Sequence, residues 1–127
     1  MDNKMFCFQC EQAAKGTGCT AIGVCGKTPD VAALQDLLIH AAKGISMYAH
    51  RAGSLGARDR QVDRFIPKAL FTTITNVNFS PQRMGEELHK AASIRDRARK
   101  LYEKACGQAG RQPETLTGPA EWSPAAD

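Results

Sequence analysis

Four cysteines, Cys7, Cys10, Cys19 and Cys25, fall within nineteen consecutive residues, and a fifth, Cys106, stands eighty-one positions further on. The spacing of the four is Cys-x2-Cys-x8-Cys-x5-Cys. In a reducing compartment such a cluster reads as a set of metal ligands rather than a disulfide framework. That compartment is the expected one. The start Met1-Asp2-Asn3-Lys4-Met5-Phe6-Cys7 carries no apolar signal region. No apolar run approaches the ~18 residues of a membrane span, so the expectation is a cytoplasmic protein with no membrane partner. Two metal chemistries compete for four thiolates. A structural zinc site pairs two tight Cys-x2–4-Cys knuckles; the first pair here has that form and the second, five residues apart, is looser. No histidine precedes His40, so a mixed Cys/His site in this segment is excluded. Iron–sulfur clusters also take four thiolates. The interspersed Gly16, Gly18, Gly23 and Gly26 let backbone N–H groups approach the sulfurs. Chemistry alone favours iron–sulfur over zinc and leaves both open.

Residues 1–28 have no helical or strand period, so they form a loop shaped by what the cysteines bind. The elements that position this loop follow in residues 29–107, which read as a three-helix bundle, an all-α fold. Thr28 as N-cap, Pro29 at the first helical position and Asp30 in the first turn start the first helix. Its apolar stripe is Val31, Leu34, Leu38, Ala41, Ile45, Tyr48, Ala52 and Leu55, at alternating spacings of three and four, and Gly53 and Gly56 mark its end. Gly44 within it either weakens the helix or lets another backbone come close. The second helix is expected from about Asp59 to Asn76, with Val62, Phe65, Ile66, Leu70, Ile74 and Val77 as its stripe and Pro67 interrupting or kinking it. The third starts at Ser80-Pro81, carries Met84, Leu88, Ala91, Ile94, Ala98, Leu101 and Ala105 inward, and ends at Gly107 and Gly110. Short connections make the helices antiparallel neighbours.

Residues 108–127 are Pro-rich and aperiodic, with Trp122 lacking a local partner. They read as a linker into a remainder of the polypeptide that these 127 residues do not include. The net charge of +4 is distributed without a block of five or six like charges. Its densest stretch, Arg95-Asp96-Arg97-Ala98-Arg99-Lys100, falls on the third helix. This is a solvated basic face rather than a nucleic-acid footprint, so no nucleic-acid partner is expected; a docking face for an acidic redox partner is a further reading.

Three stretches carry a family resemblance: Phe6-Cys7-Phe8-Gln9-Cys10-Glu11-Gln12, Gly16-Thr17-Gly18-Cys19, and Gly23 through Pro29. They resemble the N-terminus of the hybrid-cluster proteins, also called prismane proteins or hydroxylamine reductases. The likeness continues through Ala33–Leu38, Lys43–His50 and Leu70–Asn78. It implies a protein several times longer than this chain. Cys7, Cys10, Cys19 and Cys25 match the positions that hold a cubane [4Fe–4S] cluster in the family class with these spacings. A second, hybrid iron–sulfur–oxygen cluster, with His, Glu and Cys ligands from later regions, reduces hydroxylamine to ammonia and water; the family is also linked to nitric oxide detoxification. An electron-donating reductase supplies the N-terminal cluster, and the small-molecule substrate binds in the full-length form. No catalytic residue is therefore expected in these 127 residues, which alone are expected to be inactive. A stand-alone small electron carrier and a zinc-stapled helical interaction module are the alternative readings.

Other reactive side chains have structural explanations. Cys106 beside the third stripe reads as a buried structural thiol. His40, His50 and His89 read as surface or capping residues, Phe6 and Phe8 as shields for the cysteines, and Met47 and Tyr48 as core.

Overall fold

The computed structural model describes residues 5–7, 18, 20, 22, 27–74 and 81–124. Three α-helices make up most of it: α1 (Pro29–Ser54), α2 (Arg60–Ile74) and α3 (Pro81–Ala109), followed by a 3-10 turn at Gly118–Ala120. The described residues contain no strand; Cys7 sits at an isolated bridge position. No helix among them is long and apolar enough to cross a membrane. The fold is all-α, as the periodicity implied.

The start of α1 follows from its cap. Thr28 is extended, and its Oγ1 accepts the Val31 N–H at 3.3 Å, satisfying a donor that the first turn leaves without a helical partner. Both long helices end in Schellman motifs. The Ala57 and Arg111 N–H groups donate to the Ala52 and Cys106 carbonyls, with Gly56 and Gly110 in the left-handed region between. The third helix therefore ends at Ala109, immediately before Gly110, the second of the two glycines expected to end it. Ser80, its expected cap, lies outside the described residues. The start of α2 is fixed by Asp59: its Oδ1 accepts the Gln61 N–H at 2.9 Å, and its other carboxyl oxygen accepts from Arg97 Nε on α3.

The core forms where the inner face of α1 meets α3 and, over a smaller area, α2. Leu38, Ile45, Ala52, Val62, Met84, Ala91 and Ala98 are fully enclosed, with Tyr48 and Tyr102 packed at a tilt, ring centroids 6.1 Å apart. Cys106 is buried among them, a structural thiol as expected.

Two expectations need correction. The second half of the α2 stripe does not face inward. Leu70 and Ile74 are 41% and 53% exposed, while Ala69 and Thr73 are buried. Small residues at 69 and 73 continue the Val62–Phe65 face, and apolarity alone could not separate that face from its neighbour. Nor does Pro67 divide the helix, which is continuous across it. Pro67 and Asp63 are both exposed, so the Asp63 carbonyl that loses a helical donor is on the solvent side.

The tail is also held against the bundle. Residues 111–124 turn back over α1 and α3 as a strap. Leu116 and Ala120 are buried, and Trp122 packs against the core and meets His40 edge-on at 6.3 Å. Arg95 holds the strap from α3, donating to the carbonyls of Ala120 and Trp122 and to Ser123 Oγ. The Glu114 N–H donates to the Tyr102 hydroxyl, and the Glu114 carboxylate pairs with Arg51. The strap crosses α1 at Gly44, where a Cβ would collide with the Pro119 carbonyl. Close approach, not weakening, is the role of that glycine. The basic stretch on α3 is likewise less free than its sequence suggested, because Arg95 holds the strap, Arg97 holds Asp59 and Arg99 pairs with Glu103.

Candidate metal centre

Of the four expected ligands, Cys7 lies within the described residues; Cys10, Cys19 and Cys25 lie outside them, as do Phe8, Gln9 and Glu11. Among the described residues, no group of three or more His, Cys, Asp or Glu side chains could hold a metal ion. The geometry around Cys7 shows what surrounds one corner of the candidate centre.

Cys7 is half-buried against a small apolar cluster formed by Met5 and Ala32, apart from the main core. Ala32 is in the first turn of α1, so the capped start of that helix fixes one wall. Met5 donates its N–H to the Thr20 carbonyl at 3.4 Å, joining the two sides of the cysteine segment. Phe6 lies over Gly18, where a Cβ would strike the ring, and Phe6 is 53% exposed. Of the two expected shields, Phe6 is therefore placed beside the cysteine segment.

Lys27 is the residue that the sequence did not single out. Its side chain is 97% enclosed, with 3% relative exposure, and its Nζ lies 3.4 Å from Cys7 Sγ and 3.1 Å from the Thr73 carbonyl oxygen. Thr73 is in the last turn of α2, where carbonyls lack helical donors and the helix dipole is negative. That turn contains no basic residue of its own, so Lys27 supplies the cation from a distance of 46 residues. A signal was present in the sequence. Lys27 directly precedes the N-cap of α1, the end of a helix where a cation is disfavoured, so it requires a compensating partner elsewhere.

Gln35 is a second unanticipated feature. It lies one turn beyond Ala32 on α1 and is buried, and neither its Nε2 nor its Oε1 has a hydrogen-bond partner among the described residues.

The surroundings of Cys7 fit a thiolate-bound cluster. One sulfur is shielded from water by apolar side chains and receives a hydrogen bond from a buried ammonium, which suits a sulfur that carries negative charge. The donor set read from the sequence is all sulfur, consistent with iron–sulfur or zinc.

Residues 5–118 match the Prismane/CO dehydrogenase family. The chain is 54% identical over 122 residues to a hydroxylamine reductase from Rhodospirillum rubrum, covering 96% of this chain and 22% of that protein. It is 49% identical over 125 residues to a hydroxylamine reductase from Geobacter sulfurreducens (97% and 23%) and 52% identical over 120 residues to one from Halothermothrix orenii (93% and 22%). The chain thus spans less than a quarter of the length of these curated relatives.

Proposed function

We propose that this chain, which belongs to the Prismane/CO dehydrogenase family, holds a [4Fe–4S] cluster on Cys7, Cys10, Cys19 and Cys25 and relays electrons for a hydroxylamine reductase. The observation that carries the reading is that all four cysteines fall inside the matched span, 5–118, of a chain close in sequence to proteins named hydroxylamine reductase. The reaction of such an enzyme consumes two electrons and two protons per hydroxylamine and yields ammonia and water. The full activity belongs to a longer polypeptide with a hybrid iron–sulfur–oxygen cluster, and an electron-donating reductase is the redox partner.

When bound, a [4Fe–4S] cluster supplies a one-electron carrier. The chain's own residues do the rest. The four thiolates would hold it, and one of them, Cys7, lies against Ala32 in the first turn of α1. Met5 and Ala32 pack against Cys7, and the buried Lys27 ammonium would offset negative charge at Cys7 Sγ. The bundle anchors both walls of the site through the cap of α1 and the last turn of α2. A cytoplasmic setting, where thiols stay reduced, suits this chemistry.

The test is metal and sulfide analysis after anaerobic purification. About four iron and four acid-labile sulfide per chain are expected for a cubane, with visible absorption that dithionite bleaches. One tightly bound zinc and no iron would overturn the reading in favour of the zinc-stapled module.

A further inference from the structure

Lys27 is buried, with 3% relative exposure, and its Nζ lies 3.4 Å from Cys7 Sγ and 3.1 Å from the Thr73 carbonyl oxygen. A sulfur bound to metal carries negative charge and accepts such a hydrogen bond strongly. The position of Lys27 in the chain points the same way. Before the start of α1 its charge opposes the helix dipole, yet its head group is carried to the negative end of α2, beside the sulfur of a candidate ligand.

We propose that Lys27 is a positioning residue that sets the reduction potential of the centre held by Cys7, and that it does so by tying Cys7 Sγ to the last turn of α2. This rests on the reading of the four cysteines as iron–sulfur ligands. Reduction adds one electron from the external reductant, and no bond is made or broken. The cluster with its thiolates becomes more negative by one charge. A hydrogen bond and a positive charge at one ligand sulfur stabilise the more negative state and so raise the potential. The carbonyl of Thr73 holds the ammonium in place, so the contribution is built into the fold.

The experiment is a redox titration of the full chain with its native metal, purified anaerobically and followed by electron paramagnetic resonance. Dithionite and mediators serve as reductant. Lys27→Met removes both charge and donor. At unchanged iron content, its equilibrium constant for reduction is expected to fall at least about tenfold, equivalent to about 59 mV for a one-electron couple. Lys27→Arg keeps both and is expected to recover most of the shift. An unmoved potential in a fully loaded Lys27→Met protein overturns the role of Lys27 and leaves the cluster reading standing. A wild-type protein without iron overturns the cluster reading and the role of Lys27 with it. If Lys27→Met does not fold, the wild-type protein decides. Labelling lysine side chains with nitrogen-15 is expected to change the nitrogen modulation in pulsed spectra of the reduced cluster. Spectra that do not respond to the label overturn the proposal.

Discussion

The two ends of α1 are held by different means. From Leu38 onward the helix is embedded in a cluster of sixteen buried residues drawn from all three helices and the strap. Around its first turn, among the described residues, the apolar cluster is Met5 and Ala32, with Cys7 against it, and the buried Lys27 ammonium ties Cys7 to the last turn of α2. The bundle is stabilised by its own apolar surface. The described part of the cysteine corner buries Met5 and Ala32, and on the proposed reading ligation of the four sulfurs adds to what holds it. A small loop gains its shape from ligation when it cannot bury enough of itself.

That contrast can be broken by attacking each end separately. The largest effect is expected from Cys7→Ser, which removes one of the four proposed ligands. Iron and sulfide per chain are expected to fall to near zero, while the helical signal in far-UV circular dichroism stays close to that of the parent. Collapse of the helical signal together with the iron would show that the bundle is not self-sufficient. The reciprocal change is Ile45→Ala, in the main core. Removing a fully enclosed isoleucine is expected to destabilise the fold by about 2–5 kcal/mol, measured by urea unfolding, with iron per folded chain unchanged.

A smaller effect tests how the bundle's periphery is tied. Arg97, donating to the Asp59 carboxylate, holds that group below the usual carboxylate range. A folded-state value below the unfolded one means that the ion pair's contribution is present above the unfolded carboxylate range. It is lost as pH falls through the folded value. Asp59→Asn keeps a side-chain oxygen able to cap the Gln61 N–H and removes the charge. The expected loss is about 0.2–1 kcal/mol at neutral pH, the range for exposed pairs. It should vanish in acid, where Asp59 itself is protonated. Parallel stability curves for parent and variant across that range would show that the pair contributes nothing.

The elements most legible in the sequence were those with local causes. Thr28 and Pro29 announced the start of α1, Gly56 and Gly110 its end and that of α3, and the threes and fours from Val31 to Leu55 gave the buried face. What stayed hidden depends on partners far away in the chain. Leu70 and Ile74 were read inward because apolarity does not say which of two adjoining helix faces meets a neighbour; Ala69 and Thr73 occupy that place. The strap has no period because side-chain-to-backbone bonds from Arg95 and the Tyr102–Glu114 contact fasten it. For the candidate site, the four thiols were visible as a pattern, and Cys10, Cys19 and Cys25 lie outside the described residues. Lys27 escaped notice because its meaning comes from Thr73, on another helix.

The crossing of the strap over Gly44 couples two stretches of sequence in their history. An alanine at 44 would favour the isolated helix by about 1 kcal/mol, so a drift toward it is locally attractive. It would also push the Pro119 carbonyl away from α1 and loosen the seat of Ala120 and Trp122. Position 44 and the Gly118–Ala120 turn are therefore expected to vary as a pair among descendants of this chain, with a larger residue at one tolerated only where the other has yielded.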